Sequence, residues 1–323
     1  MAKKNFKRGI EANKKNFRAA KDFFSSPLGR SIVEAEYNGS RSFQICIRDG
    51  YFNVYWRGCS VLKYRPSATK YKFSIHHKYL PADSCQDVDS KNPYIALHYQ
   101  DECNLVWDSW SFRDTVLDGA QKGMIPGFEN HVSQTDEKSK EKSFLSQYFA
   151  EVRPLLLDLE VAFTGERKPE EMAEKSRRYV ADRVDFARLV IKEAKPVLQL
   201  VEAKSANDGR LRAQAQNNPK IIGQMDGYLE FIKREKTQIE DSYRRVAENY
   251  LSMNLLGWSS EDLDCLKAFA KEPALDPQPY LLVLGTRGQM QGRANACHWQ
   301  RLERLLGENG YPAPEMWDGL SGR

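Results

Sequence analysis

The sequence predicts an α/β protein, α+β overall, in which a β-rich N-terminal domain precedes a three-layer α/β domain. Three observations support this prediction. Residues 31–79 contain short runs of Ile, Val, Tyr, Phe and Trp separated by turn residues. Residues 144–323 instead combine apolar side chains at helical spacing with short continuous apolar runs. A polar, charged stretch at 133–143, without large apolar residues, separates the two regions.

These changes in composition set the predicted domain boundaries. We assign residues 1–132 to a basic helix plus an antiparallel β-rich domain, 133–143 to a linker and 144–323 to the second domain. The chain of 323 residues is long enough for two ordinary domains. No apolar stretch approaches the roughly 18–20 residues that cross a bilayer, so no membrane partner is expected. The N-terminus lacks the apolar core of a signal peptide, which predicts a cytoplasmic location.

The N-terminal segment is strongly basic. Residues 1–24 hold eight basic and two acidic side chains, an excess larger than the net charge of +5 for the whole chain. Clustered basic residues neutralise phosphates, which predicts contact with nucleic acid. A solvated helix or a frayed terminus remains the alternative. The residues predicted to bind nucleic acid here are Lys3, Lys4, Lys7, Arg8, Lys14 and Lys15.

The β-rich region predicts an antiparallel meander. Its candidate strands, in chain order, are SIVEAEY, SFQICI, YFNVYW, SVLKY and YKFSIHH, followed by PYIALHY and a candidate helix at 107–121. Asn38-Gly39 and Asp49-Gly50 favour hairpin turns. Aromatic and basic residues interleave along these strands, so the sheet has the residue types that stack on bases and hold phosphates. A core face opposite a solvated face gives the same pattern, and both interpretations stay open at this point.

The second domain is predicted to contain a helix, a strand hairpin, a long helix, a strand and further helices. Its elements are a helix at 144–165, strands at 183–191 and 196–204, helices at 220–253 and from Ser259 or Ser260 to Glu272, an apolar strand in PYLLVLG, and a helix in HWQRLERLLGENG that ends at a glycine. The continuous apolar run of PYLLVLG is typical of a strand buried on both faces.

Two acids and a lysine are predicted to meet on the strand hairpin. Glu202 and Lys204 are two residues apart on one strand, so they share a face. Antiparallel pairing about a Glu193–Ala194 turn gives partner numbers that sum to 387, which places Asp185 opposite Glu202. The Cβ atoms of such a pair lie roughly 4.5–5.5 Å apart. A slip of one residue would move Asp185 to the other face, with Asp182 as the fallback acid.

Two carboxylates at that spacing repel each other unless positive charge lies between them. A divalent cation is the usual solution, and oxygen-only ligation favours Mg²⁺, with Mn²⁺ as a substitute. Such a metal activates water and neutralises charge on a scissile phosphate. Lys204 on the same face can orient the water or stabilise developing negative charge. Acids that flank a lysine in solvent are the structural alternative.

Two further features strengthen the catalytic interpretation. Gln224 and Tyr228 are separated by four residues in a candidate helix, so they share a face about twenty residues after the hairpin. Glu160, in the helix predicted before the hairpin, is a candidate third metal ligand. Asp158 and Glu166 compete for that role.

With these residues in place, the chain resembles the PD-(D/E)XK nuclease superfamily, and its Gln-x-x-x-Tyr element is most similar to the RecB-like branch. The resemblance implies a restriction-endonuclease-like three-layer α/β domain with a mixed central sheet. It also implies metal ligation by Asp185 and Glu202 and catalysis by Lys204. Gln224 and Tyr228 would support the catalytic site and contact DNA.

The resemblance covers roughly residues 145–290, and Val184 stands where the family often has a proline before its first acid. The N-terminal half resembles no family and is predicted to bind nucleic acid or a partner. Other hydrolase motifs are absent from the sequence, since it contains neither a GxSxG elbow nor a GxxxxGK[ST] phosphate loop.

The sequence therefore predicts a Mg²⁺-dependent deoxyribonuclease, a phosphodiester hydrolase whose partner is DNA, with RNA not excluded. Phage defence, restriction and repair all remain open as its setting, as does the choice between endonuclease and exonuclease action. Many such enzymes form a homodimer to cut both strands, which is a hypothesis for this chain. The alternative is a non-catalytic nucleic-acid-binding or interaction protein that retains a nuclease fold.

Overall fold

The computed structural model describes residues 6–12, 14–37, 40–67, 72–76, 79–80, 94–107, 110–125, 137–163, 183–212, 218–255, 259–286, 288–289 and 293–319, without the side chains of 137–140 and 293–296. Across these ranges, no helix combines the length and the apolar character needed to cross a bilayer.

The chain forms two compact units, each built from separate stretches. The N-terminal unit contains Arg8–Arg153 and Arg245–Ala270. The C-terminal unit contains Met1–Lys7, Pro154–Arg244 and Lys271–Arg323. In both units the described residues mix helices with β-sheet, so the predicted α/β class is confirmed.

The regular elements are as follows. The helices are α1 Lys15–Ser25, α2 Pro27–Glu34, α3 Asp118–Gln121, α4 Glu137–Val152, α5 Lys220–Met253, α6 Ser260–Lys271 and α7 Arg293–Glu308, with a π-helix at Arg113–Leu117 and a 3-10 turn at Gly209–Leu211. The strands are β1 Glu36–Tyr37, β2 Ser40–Arg41, β3 Gln44–Ile47, β4 Phe52–Trp56, β5 Cys59–Arg65, β6 Lys72–His76, β7 Tyr94–Asp101, β8 Asn104–Trp107, β9 Trp110–Ser111, β10 Leu155–Ala162, β11 Arg183–Lys192, β12 Lys195–Ser205, β13 Tyr280–Leu284 and β14 Glu315–Trp317.

The N-terminal unit is organised around a seven-stranded antiparallel sheet in which β3 to β9 follow one another in chain order. The predicted meander is therefore confirmed. Gly50, with φ +75°, lies in the predicted turn between β3 and β4. Arg57 and Gly58 both have positive φ between β4 and β5, as in a two-residue hairpin whose twist matches that of its strands. The Asn38-Gly39 turn lies outside the described residues.

The aromatic side chains of this sheet form a core rather than a base-stacking surface. Phe52 and Tyr64 are fully buried, and their ring centroids are 5.6 Å apart. Phe24 of α1 packs edge-on against Phe52 at 4.9 Å. Buried rings have no free face for a base, so the core interpretation of this aromatic pattern is correct for these positions.

The first candidate strand of the meander was wrong in element type. Residues 27–34 form α2, and of the predicted strand Glu36–Tyr37 form β1. The helix begins there because the Ser26 hydroxyl accepts a hydrogen bond from the Gly29 amide at 3.3 Å, while Pro27 occupies the first turn. These capping residues outweigh the β-propensity of Ile32 and Val33.

The C-terminal unit is organised around a five-stranded mixed sheet in the order β10-β11-β12-β13-β14. The first three strands are antiparallel, whereas β13 and β14 run parallel to β12. The predicted mixed sheet, the long helix α5 and the helices α6 and α7 are all present. Strand β14 was not predicted, because three residues give too short a pattern to recognise.

The helix predicted at 144–165 is wrong in its second half. Helix α4 starts within the predicted linker and ends at Val152, after which Leu155–Ala162 form β10. Arg153 has a φ of +49° and precedes Pro154, whose ring disfavours helical backbone at the preceding residue. The apolar spacing after residue 154 is therefore that of a half-buried strand.

The hairpin of β11 and β12 has the predicted register. Seven residue pairs, from Phe186–Val201 to Lys192–Lys195, follow the predicted alignment without a bulge. Glu193 and Ala194 form the two-residue turn with φ values of 49° and 61°. Positive φ at both central residues is the hallmark of the turn type that matches strand twist, so this turn fixes the alignment of both strands.

Candidate active site

Strands β11 and β12 bring Asp185, Glu202 and Lys204 together. The hairpin register places Asp185 one step beyond the Phe186–Val201 pair, beside Glu202. The Asp185 carboxylate accepts a hydrogen bond from the Ala203 amide at 2.7 Å. The ammonium of Lys204 lies 3.6 Å from the same carboxylate and forms an ion pair with Glu202. The three side chains that were predicted to share one face of the hairpin therefore converge on one site.

The three charged groups differ in their access to solvent. The side chains of Glu202 and Lys204 are each 3% exposed, whereas that of Asp185 is 30% exposed. Removing charged groups from water is costly even when they are paired. A buried cluster of this kind at a strand end is therefore a candidate functional site.

The electrostatics of the site show a surplus of negative charge. Burial raises the pKa of Glu202 to about 7, and the charge of Asp185 adds to this effect against the opposing pull of Lys204. Burial also raises the pKa of Asp185, although Lys204 and the Ala203 amide favour its charged form. One ammonium does not fully compensate two carboxylates, so the site favours a further cation.

Gln224 and Tyr228 of α5 hold both oxygens of Glu202. The Gln224 side-chain amide donates to Oε1 of Glu202 at 2.7 Å and also contacts the Tyr228 hydroxyl. That hydroxyl lies 2.8 Å from Oε2 of Glu202 and 2.7 Å from the carbonyl oxygen of Arg183. Because the two residues are one helical turn apart, a single face of α5 orients this carboxylate.

Tyr228 is buried and lies beneath the acid. A hydroxyl engaged with Glu202 and the Arg183 carbonyl is not presented to a bound strand. The DNA contact implied for Tyr228 therefore does not fit this position, whereas a supporting role does. Gln224 is partly exposed and also belongs to the support of Glu202.

Glu160 lies on β10 rather than on the predicted helix. Leu159 pairs with Phe186 and Val161 pairs with Val184, so Glu160 lies opposite Asp185 on the neighbouring strand. The charge of Glu160 contributes to the raised pKa of Asp185, which is consistent with their neighbouring positions. Pro154, which disfavours helical backbone at the residue before it, was the sequence signal for this placement.

Of the alternative acids, Asp158 has other partners, and the other two lie outside the described residues. Asp158 is buried, where it accepts hydrogen bonds from the Tyr243 hydroxyl at 3.0 Å and from the Leu159 amide at 2.9 Å. Glu166 and Asp182 lie outside the described residues. Within the described part of the chain, no group of three or more His, Cys, Asp or Glu side chains is arranged to hold a metal ion.

The loop after β12 contributes an acid that sequence analysis missed. Asp208 forms a hydrogen-bonded ion pair with Arg210, with Nε 2.9 Å from Oδ1. Burial opposes ionisation of Asp208, but the hydrogen bonds from Arg210 and the charge of Lys204 lower its pKa. The sequence signal for Asp208 was its position three residues after the end of the Glu-x-Lys strand, because a residue so close to a strand end stays near the site.

The basic residues of the N-terminal segment differ in their exposure to solvent. Lys3 and Lys4 lie outside the described residues, and Arg8 is buried, with 8% of its surface exposed. Lys7 and Lys15 are exposed, and so is Lys14, which forms an ion pair with Glu11 at 3.3 Å. We therefore leave Arg8 out of the proposed phosphate contacts.

Comparisons of this chain with models of known families, with curated proteins and with solved structures return no match. Its function is therefore argued from the geometry of the site.

Proposed function

We propose that the protein is a metal-dependent nuclease that hydrolyses phosphodiester bonds of DNA. The observation that carries the proposal is the convergence of Asp185, Glu202 and Lys204 at one end of a hairpin. Two neighbouring carboxylates that can ligate a cation and one buried ammonium are groups that this chemistry uses.

The arrangement of the C-terminal unit supports the same class. Three antiparallel strands are followed by the long helix α5 and then by β13, which runs parallel to β12. This order of elements agrees with the PD-(D/E)XK resemblance, and we propose a restriction-endonuclease-like domain. The position of the acids and the lysine on the hairpin, and of Gln224 and Tyr228 on the helix that follows it, supports this proposal.

A divalent cation fits the donor set of the site. Asp185 and Glu202 supply hard oxygen donors, and the partial exposure of Asp185 gives access from solvent. We propose Mg²⁺, for which Mn²⁺ can substitute, with Glu160 as the neighbouring third acid. When bound, the cation would neutralise charge on the scissile phosphate and make a coordinated water more acidic.

The side chains of the site have separate roles in the proposed reaction. Lys204 holds a positive charge where the attacking water or the developing negative charge lies. Gln224 and Tyr228 fix the orientation of Glu202, and the Ala203 amide fixes that of Asp185. Such second-layer hydrogen bonds keep metal-ligating carboxylates in a single orientation.

Nicking of supercoiled plasmid in Mg²⁺ tests the proposal. We expect Lys204→Met to reduce the rate by about 10²–10³-fold, the usual loss when one stabilising group is removed from a transition state. Lys195→Met is the matched control, because Lys195 lies on the same strand but is exposed and pairs with Glu272 at the surface. EDTA should abolish the activity, and Mn²⁺ should restore it.

The same assay separates the enzyme from its non-catalytic alternative. Equal behaviour of wild type and Lys204→Met on plasmid, linear DNA and RNA would leave a nucleic-acid-binding or interaction protein as the remaining function. Cleavage of closed circles would establish endonuclease action, whereas degradation of linear DNA alone would establish exonuclease action. The molecular mass in solution, measured with and without DNA, tests the homodimer hypothesis.

A further inference from the structure

A small polar cavity in the N-terminal unit lies outside the proposed catalytic machinery. Its volume is about 110 Å³, which is room for more than one water molecule. Its walls come from the end of α1, one face of α2, strand β2 and the residues at the end of α5. All the residues of these walls belong to the N-terminal unit. The cavity is therefore a feature of one unit, formed by elements far apart in sequence.

Arg41 of β2 lines this cavity, and two nitrogens of its guanidinium group have no acceptor in the part of the chain that the structure describes. Its Nε and Nη1 atoms are buried, and among the described residues neither has a hydrogen-bond partner. Burial lowers the pKa of Arg41, although Glu36 and Glu34 act in the opposite direction. Leaving a buried donor without an acceptor is unfavourable, and more so for a charged group. An unsatisfied group of this kind indicates an acceptor that comes from outside the chain.

The remaining walls bias the cavity towards an anion. Arg30, Val33 and Glu34 lie on one face of α2, and Arg30 pairs with Glu34 at 3.8 Å. The Arg30–Glu34 pair is balanced in charge, so Arg41 gives the wall side chains one net positive charge, while Glu36 lies opposite Arg41 on β1, outside the wall. Phe24 and Met253 supply apolar walls that limit its size.

We propose that this cavity binds a phosphate group carried by a small phosphomonoester or by a nucleic-acid end. Nε and Nη1 of Arg41 together require at least two acceptor oxygens, and Arg30 supplies further donors at the rim. A tetrahedral anion with several charged oxygens meets these needs better than a carboxylate. Arginine is the residue most suited to such recognition.

Calorimetric titration of the full-length protein with inorganic phosphate tests this site, with chloride holding the ionic strength constant. We expect Arg41→Gln to weaken phosphate binding by at least tenfold. Arg18→Gln is the matched control, because Arg18 is an exposed arginine of α1 that does not line the cavity. Its affinity should equal that of wild type.

A second variant tests the cavity without removing the charge. Val33→Phe places a larger side chain in the cavity and retains Arg41, so it should also abolish phosphate binding. This variant decides the matter if Arg41→Gln does not fold. Undiminished phosphate binding by Val33→Phe, equal binding by wild type and Arg41→Gln, or no binding of millimolar phosphate by wild type would each overturn the proposal.

Further ligands identify the source of the phosphate group. Tighter binding of a 5′-phosphorylated oligonucleotide than of its 5′-hydroxyl counterpart would support a nucleic-acid end. Tighter binding of a nucleoside monophosphate than of either oligonucleotide would support a small phosphomonoester. Stronger binding of acetate than of phosphate at the same ionic strength would overturn the choice of phosphate. These outcomes do not depend on nuclease activity, so they also remain informative if the catalytic proposal fails.

Discussion

The two large sheets of this protein differ in the kinds of side chain that they bury. The seven-stranded sheet of the N-terminal unit buries aromatic rings, with Phe52, Tyr64 and Phe73 almost inaccessible to solvent. The five-stranded sheet of the C-terminal unit buries ionic groups such as Glu202 and Lys204 as well as apolar ones. Aromatic burial stabilises a fold directly, whereas replacing a buried ion pair with apolar residues is often neutral or stabilising. The first sheet therefore gains stability from its aromatic core, whereas the charge buried in the second sheet is consistent with the function that we propose for it.

The largest expected effect tests the aromatic sheet. Phe52→Ala removes a fully buried ring that contacts Tyr64 and Phe24, so the free energy of unfolding should fall by about 3–5 kcal/mol. Denaturant unfolding of the full chain measures this change. Tyr94→Ala, on the same sheet but 40% exposed, is the control and should cost less than about 1 kcal/mol. Similar losses in both variants would contradict the assignment of Phe52 to a stabilising core.

The charged sheet should show opposite pH dependences for stability and for metal binding. Glu202 has a folded-state pKa of about 7, raised from 4.5, so the folded protein binds a proton that the unfolded chain has lost in this range. Its contribution to the stability of the metal-free protein therefore falls as pH rises from about 4.5 to about 7. Mn²⁺ affinity should instead rise through this range, because protonated carboxylates do not bind metal.

The two pH dependences are measurable on one protein preparation. Thermal unfolding in EDTA at pH 5, 6, 7 and 8 follows stability, and Mn²⁺ titration at the same pH values follows affinity. We expect the titration of Glu202 to increase the affinity by up to about tenfold per pH unit below pH 7, with a further increase where Asp185 also loses its proton. Glu202→Gln should remove the contribution of this group to both dependences. An affinity that does not change with pH would contradict metal ligation by Glu202.

A smaller effect concerns the positioning of Glu202 by Tyr228. Tyr228→Phe deletes one hydrogen bond to the carboxylate, a loss of about 1 kcal/mol. Because that hydrogen bond favours the charged form of Glu202, its removal should raise the pKa of Glu202 and move the rise of the activity profile to higher pH. Plasmid nicking measured across pH 6–9 tests this shift. A uniform decrease in rate without a shift would indicate a structural role alone.

The smallest expected effect concerns the exposed lysines before and in α1. Replacing both Lys14 and Lys15 with Gln should lower DNA affinity and reduce the slope of log affinity against log salt by about 2. Filter binding at several salt concentrations measures the slope. Lys267→Gln combined with Lys271→Gln is the control, because these are exposed lysines on another helix, α6. An unchanged slope for the Lys14 and Lys15 variant would remove these residues from the proposed contact.

Much of the C-terminal hairpin was predictable from local patterns. The pairing of residues around Glu193–Ala194 followed from the short connection and from strand periodicity, and the side-chain grouping of Gln224 with Tyr228 followed from helical spacing. Strand β10 was not recovered, because its leucines also fit a helical pattern and only Pro154 indicated the break. The neighbourhood of Glu160 depends on a pairing irregularity between Leu156 and Asp158, which packing sets and local sequence does not reveal.

Features that depend on distant segments were also beyond sequence analysis. The burial of Arg8 and the cavity around Arg41 both require elements that are remote in the chain to come together. Composition identified these residues as basic but gave no indication of their surroundings. Helix α2 was mispredicted for a local reason. Its capping residues favour a helix more strongly than its Ile and Val residues favour a strand.

The two-residue turn at Glu193–Ala194 has a consequence for how this region can change. Side chains alternate between the two faces along each strand of the hairpin. Asp185 of β11 therefore lies beside Glu202 of β12 only while the present register is kept. A single inserted residue between Ala194 and Val201 would place Val201 opposite Asp185 and turn Glu202 to the other face of the sheet. Length variation in this protein should therefore be tolerated in its longer connections and excluded from this short span.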